Sequence, residues 1–358
     1  MIKYLGSKRV LLPRILEQVD ALAQGATAQR RPIRTVLDLF SGTARVGHAL
    51  KARGYRVHAN DHNAYAATLA TAYVQADRRR WQDRAERLIA ELETLPGTPG
   101  WFTETFCVRA RYLQPANGAR VDAIRERIAA LALEPELEAI ALVSLMEAAD
   151  RVDSTTGVQM AYLKRWAPRA SQPLRLRVPG LLDGEGSASC LDARAAAERF
   201  RADLVYLDPP YNQHSYLGNY HVWESLVRWD KPAVYGVAMK RTDVRERASA
   251  FNRRAAIGPA FREVLEAVRA RYLVVSFNDE GYLPLADLRA LLEERGVVRA
   301  VEVPHRRYIG AQIGIYNPRG EKVGTPGRRT NRECLFVVEM VAAIGRSRPA
   351  VPFAAPSS

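Results

Sequence analysis

The sequence predicts an α/β protein: a parallel sheet with helices on both faces and one mostly helical insertion. Three observations predict it. Short apolar runs of strand length alternate with amphipathic stretches of helical period over most of the chain. A glycine turn, Ser41-Gly42-Thr43-Ala44-Arg45-Val46-Gly47, follows the first run, the arrangement in which a strand hands over to a helix beside a bound nucleotide. Between about residues 96 and 170 the strand pattern vanishes while the helical period continues.

Taken in order, residues 9–23 place Val10, Leu11, Ile15, Val19 and Leu22 on a helix, and a polar linker leads to Arg34. Thr35 to Phe40 predicts a first strand and Tyr55 to Ala59 a second, with helices near 43–53 and 63–76. Asp77 to Leu95 reads as a charged amphipathic helix with Leu88 and Leu92 on one face, broken by Pro96-Gly97-Thr98-Pro99-Gly100. In the insertion, Val121–Leu133 and Glu136–Ala149 carry apolar residues at a 3.6 period. The sheet is expected to resume at Leu174–Val178 and continue at Asp203–Leu207 and Tyr272–Phe277, alternating with helices near 217–229, 258–270 and 285–295. Val297–Val303 and Glu333–Met340 read as late strands flanking a Gly/Pro/Arg-rich loop, 319–332. The Ala/Pro/Ser tail from Arg346 has a composition that favours disorder. No internal repeat is present.

Composition sets bounds. A chain of 358 residues can bury a large core. A net charge of +14 favours a polyanionic partner, because Lys and Arg release counterions from phosphates on binding. Three cysteines, Cys107, Cys190 and Cys334, lie too far apart to suggest a disulfide framework and fit a reducing cytoplasm. No apolar run approaches membrane-spanning length, and the N-terminus does not read as a signal peptide.

The most informative stretch is Asp208-Pro209-Pro210-Tyr211, which follows the apolar run Leu204-Val205-Tyr206-Leu207. It reads as a buried strand delivering a carboxylate, a rigid turn and an aromatic ring to one spot. Each proline fixes φ and removes a donor, so Asp208 and the neighbouring carbonyls are pre-positioned. Group transfer to the exocyclic amine of a nucleobase needs an acceptor for the amine hydrogens, a fixed carbonyl beside it and a ring face for an unstacked base. Asp61 follows Gly42 at about the spacing, ~20 residues, where an acidic side chain can grip ribose hydroxyls. The glycine turn alone would also suit a dinucleotide, but a nicotinamide oxidoreductase has no use for Asp-Pro-Pro-Tyr. His58 and His62 flank Asp61, but four-residue spacing at a strand exit does not make a metal site, so no metal is expected.

The chain resembles the DNA adenine-N6 methyltransferases of the Dam-like group, including its type II modification enzymes, in which the cofactor motif precedes the catalytic one. Beyond the two motifs, the resemblance rests on Lys3-Tyr4-Leu5-Gly6-Ser7-Lys8-Arg9 and on Ser276-Phe277-Asn278-Asp279-Glu280-Gly281. It extends through Ala148-Ala149-Asp150-Arg151, Thr155-Thr156-Gly157-Val158 and Ala161-Tyr162-Leu163-Lys164, and so covers roughly residues 1 to 340.

The resemblance implies a Rossmann-like, S-adenosylmethionine-dependent methyltransferase sheet acting on double-stranded DNA, with a cognate restriction endonuclease as a conceivable partner. It implies a catalytic domain from 1–95 and 171–345, and a target-recognition region in 96–170, leaving the tail 346–358. Asp208, Pro209, Pro210 and Tyr211 become the catalytic group. Tyr4, Lys8, Asp38, Phe40, Gly42, Asp61 and Asp192 become the cofactor pocket, with Lys8 suited to meet a cofactor carboxylate. DNA contacts are expected from Arg151, Thr155, Thr156 and Lys164, together with Arg165 and Arg169, and from a flap carrying His214, Tyr216 and Asn219. Two departures stand out: Ala44 where relatives tend to have glycine, and Gln159 where relatives often carry an aromatic residue. The same chemistry on cytosine N4 or RNA adenine, and an idle DNA-binding relative, remain open alternatives.

Overall fold

The computed structural model describes residues 1–306, 315–316, 322–324 and 330–341. Most of the loop 319–332 and all of the tail 346–358, about which the sequence carried expectations, lie outside the described residues. Seven strands form one sheet: β1 (Thr35–Asp38), β2 (Arg56–Asn60), β3 (Gly186–Ser189), β4 (Leu204–Leu207), β5 (Tyr272–Asn278), β6 (Gly296–Arg306) and β7 (Thr330–Met340). Their order is β3-β2-β1-β4-β5-β7-β6, parallel except for β7, which runs antiparallel to both its neighbours. This is the expected Rossmann-like sheet.

Alternation along the strands divides the core in two. Val36, Val57, Leu204, Tyr206 and Val274 point to one face and pack under the helices Leu12–Ala28, Ala64–Ala70 and Arg78–Glu93 and those of the insertion, Pro115–Ala130 and Pro135–Arg151. Leu37, Val205, Leu207, Leu273 and Val275 point to the other, beneath Ala193–Arg199, Ile257–Ala267 and Leu285–Glu293. A period of two along each strand, with both faces covered, is why β4, Leu-Val-Tyr-Leu, reads as an unbroken apolar run.

Two expectations change. Leu174–Val178 is not a strand. Leu174 and Leu176 are buried, but the backbone N–H groups of Leu174, Leu176 and Arg177 donate to the side chains of Asn117, Glu93 and Ser144. Side-chain acceptors here replace a strand partner. The third strand is instead Gly186-Ser187-Ala188-Ser189, paired in parallel with β2. The helix expected at 217–229 is two, Tyr216–Asn219 and His221–Arg228, separated at Tyr220, where φ is −129°.

Reversal of strand order between β1 and β4 opens a crevice at the carboxyl ends of the strands, the place where open α/β sheets bind ligands. Asp38 at the end of β1 lies opposite Tyr206 in β4, so Asp208 projects from the same edge two residues later.

Candidate active site

A cavity of about 470 Å³ sits over this crevice. Its walls include Tyr4, Lys8, Asp38, Phe40, Gly42, Asp61 and Asp192, and also Asp208 and Pro210. Every residue expected to hold the cofactor therefore lines the same space as the carboxylate of the Asp-Pro-Pro-Tyr corner.

The glycine turn is shaped by hydrogen bonds from two acids. Asp61 Oδ2 accepts the Gly42 N–H at 3.0 Å, while Oδ1 accepts the backbone and side-chain amides of Asn63 at 3.0 and 3.1 Å. Asp38 Oδ2 accepts the Gly47 N–H at 2.9 Å. Gly42 and Ala44 both take positive φ, +51° and +58°. A left-handed backbone at residue 44 is the physical reason a glycine suits this position; Ala44 adopts it with its methyl fully buried. A methyl at Gly42 would meet Tyr4 Cε1 at 3.3 Å.

Asp38 Oδ1 is buried with no hydrogen-bond donor. Burial pushes its carboxyl up to about 7, with Asp208 and Asp61 adding repulsion. The cavity wall carries both acids, Asp38, Asp61, Asp192 and Asp208 among them, and arginines, and the vacant buried Asp38 Oδ1 fits the ammonium of a zwitterionic, sulfonium-bearing ligand, so the residues present suit S-adenosylmethionine. Asp61, whose three accepted hydrogen bonds leave one lone-pair site, could take a ribose hydroxyl. Asp192 caps the helix Ala193–Arg199 by accepting the Arg194 N–H at 2.9 Å and also borders the cavity. Tyr4 is stacked between Tyr216 and Tyr220, at centroid distances of 5.0 and 4.6 Å. This pins the N-terminal segment into the cavity wall.

Lys8 Nζ lies 3.0 Å from Asp208 and 3.9 Å from Glu333, and is buried. Burial alone would lower its ammonium, but Asp208 and Glu333 outweigh it and hold the group well above its ordinary value. Burial pushes the Asp208 carboxyl up to about 6 despite Lys8. Lys8 thus engages Asp208, where the sequence suggested a cofactor carboxylate. Tyr211 packs against Phe277 at 5.4 Å and its carbonyl accepts the Tyr282 N–H; Pro209 is buried. Neither borders the cavity.

The expected DNA contacts separate into two groups. Thr156, Lys164 and His214 are exposed, and so is Arg165. Thr155 is buried; its hydroxyl donates to Asp153 and accepts the Gly157 N–H, so it braces a loop and is not presented to phosphate. Arg151 donates to the Arg175 carbonyl and pairs with Glu147, and Arg169 pairs with Asp153. Asn219 is buried and its carbonyl accepts the Gln159 N–H, while Tyr216 belongs to the aromatic stack. His58 is held by Ser187 and Ser189. Among the described residues, no group of His, Cys, Asp or Glu is placed to hold a metal, and no helix is long and apolar enough to cross a membrane.

Sequence reasoning missed three contributors. Residues 246–253 form a strap over the cavity, tied down by Arg247 to the buried Glu224 and by Phe251 against Phe40. Asn60 clamps β1 to the chain after β3, donating to the carbonyls of Leu39 and Leu191. Glu333 enters from β7. Its one visible signal was a charge immediately before the apolar stretch Cys334–Val338.

A family profile described as D12 class N6 adenine-specific DNA methyltransferase matches residues 4–290. The chain belongs to this family. Among characterised proteins, modification methylase StsI of Streptococcus sanguinis is 28% identical over 327 residues, covering 86% of this chain and 49% of that protein. Type II methyltransferase M.NlaIII of Neisseria lactamica is 28% identical over 320 residues, covering 86% of this chain and 92% of its own length. Type II methyltransferase M.FokI of Planomicrobium okeanokoites is 29% identical, covering 86% and 50%. The chain thus spans about half the length of StsI and M.FokI and nearly all of M.NlaIII. In this D12 class chain the family match ends before Glu333, which the fold brings back to the motif.

Proposed function

We propose that this chain is a site-specific DNA methyltransferase that places a methyl group from S-adenosylmethionine on the N6 amine of a flipped adenine in double-stranded DNA. The observation that carries the reading is the single cavity that joins the Gly42 turn to Asp208 and Pro210. Membership of the D12 class favours adenine over cytosine or RNA.

When bound, the cofactor supplies a methyl carbon already made electrophilic by a sulfonium. The protein's task is alignment and charge. The adenine amine is a poor nucleophile because its lone pair is delocalised into the ring. Asp208 accepts one amine hydrogen and the Pro209 carbonyl the other, drawing the nitrogen towards a tetrahedral form. The cofactor would supply the methyl carbon to the nitrogen lone pair with its sulfur as the leaving group, and once nitrogen carries the methyl its surplus proton would pass through Asp208 to solvent. Asp208 stabilises the positive charge that develops on nitrogen. Tyr211, braced by Phe277, offers a ring face on which an extruded base can stack.

The exposed Thr156, Lys164, Arg165 and His214 would position phosphates. Because the relatives named above are modification enzymes, the reading includes a partner endonuclease cutting the same sequence, and a cytoplasmic setting where the DNA lies.

Incubating the purified chain with unmethylated bacterial DNA and S-adenosylmethionine, followed by long-read sequencing, tests the reading. N6-methyladenine in one short motif is the expected product. A folded Asp208→Ala variant should lose about 10³-fold in rate. Near wild-type methylation by that variant defeats the assignment, and marks on cytosine N4 would transfer it to another amine.

A further inference from the structure

Two carboxylates share one buried cation behind the catalytic corner. Lys8 Nζ is 3.0 Å from Asp208 Oδ1, within hydrogen-bonding reach, and 3.9 Å from Glu333 Oε2, beyond it. Glu333 is buried; its Oε1 accepts the Asn278 side-chain amide at 3.1 Å, and Oε2 has no hydrogen-bond donor. Asn278 ends β5 and Glu333 lies opposite it in β7, so the sheet itself fixes this acid.

The arrangement presents a problem for the proposed chemistry. Asp208 can offer its other oxygen to the incoming amine while Oδ1 serves Lys8, but a carboxylate paired with an ammonium is a weaker acceptor, and the ammonium opposes the positive charge developing on nitrogen. Withdrawing Lys8 with nowhere to go would leave a buried ammonium unpaired, which is among the costliest changes a protein interior can undergo. Glu333 Oε2 is the vacancy that removes this obstacle.

We propose that Glu333 is a positioning residue that acts through Lys8: it receives the Lys8 ammonium when the adenine amine takes Asp208. A movement of about 1 Å would convert the 3.9 Å approach into a charge-assisted hydrogen bond. Lys8 then holds Asp208 in place before substrate arrives and yields it afterwards, remaining paired throughout. The inference rests on the methyltransferase reading for its substrate, but the Lys8–Asp208–Glu333 coupling can be measured without it.

Glu333→Gln keeps an acceptor for Asn278 and removes the charge. Lys8 is then committed to Asp208 alone. In the full-length chain this variant should lower kcat about tenfold, the factor one charge-assisted contact carries, with the cofactor Kd within twofold of wild type. Glu333→Asp, which withdraws the carboxylate from Lys8, should give an intermediate kcat and serves if the Gln variant does not fold.

The second readout needs no turnover: carbon-13 NMR titration of aspartate-labelled protein, with the Asp208 resonance assigned by its loss in Asp208→Asn. Asp208 faces Lys8 from the N-terminal segment and Glu333 from β7, and influences Asp38 on β1, Tyr206 on β4, and Tyr211 and Tyr216 beyond it. Removing the Glu333 charge should move the Asp208 midpoint to lower pH. An unchanged midpoint, or a wild-type kcat in either variant, overturns the proposal. A shifted midpoint in a protein that methylates no DNA would uphold the coupling and reject the methyltransferase reading instead.

Discussion

Asp61 accepts the backbone N–H of Gly42, nineteen residues earlier, at 3.0 Å. The acid that sequence spacing marks for a ribose is therefore also the brace of the turn beneath it. Under the proposed function, cofactor affinity and the shape of the turn would both depend on this one carboxylate.

Asp61→Ala accordingly has two effects. Loss of the Gly42 and Asn63 contacts should cost about 1–3 kcal/mol of stability, as a buried donor left unpaired does. Calorimetry with S-adenosylmethionine should also show at least a tenfold weaker Kd. An unaltered Kd in a destabilised protein would restrict Asp61 to the brace.

Asp38 makes stability depend on pH in a direction opposite to acid denaturation. Its folded carboxyl titrates at about 7, above its ordinary 3.8. The fold therefore favours the protonated form; that contribution is complete below the unfolded value and disappears as pH rises through about 7. Urea melts of wild type and Asp38→Asn at a series of pH values should show wild type losing ground to the variant from pH 5 to 8. A pH-independent difference would contradict the burial argument.

In the proposed chemistry Asp208 has the opposite requirement, since only its ionised form accepts both from Lys8 and from an amine. With its titration raised to about 6, kcat should fall on the acid side of that pH and level off above it. A kcat flat down to pH 5 would mean that ionised Asp208 is not needed.

Gln159 replaces an expected aromatic contact with a polar one. It is buried, its Oε1 accepts the Val222 N–H at 2.9 Å, and its carbonyl accepts from Tyr112 and His221. It thereby caps the helix His221–Arg228. Gln159→Leu should destabilise the fold by about 1–3 kcal/mol through the orphaned Val222 N–H. Chemical denaturation showing no loss would refute this role.

Gly186 is irreplaceable on steric grounds: a Cβ there would lie 2.3 Å from the Val74 carbonyl oxygen. Gly186→Ala should cost about 1–3 kcal/mol by overpacking, readable as a lower denaturation midpoint.

Gly186 also explains what the sequence could not reveal. β3, Gly-Ser-Ala-Ser, has none of the β-branched or aromatic residues that mark a strand; it is a strand because β2 and the chain at Val74 lie against it. Leu174-Arg-Leu-Arg-Val178 has the alternation of a strand but sits where Asn117, Glu93 and Ser144 satisfy its backbone. Local pattern reports what a segment could do, and the neighbours decide.

The chain's own order of residues determined strands β1, β2, β4 and β5, the glycine turn and the proline-stiffened acid, because each is a short-range feature of backbone freedom and side-chain period. Only the folded arrangement decided that Lys8 meets Asp208, that Glu333 waits behind them, and that Thr155 faces inward. Those partners are separated by long stretches of chain, and no local rule of spacing connects charges that meet only when β7 inserts between β5 and β6.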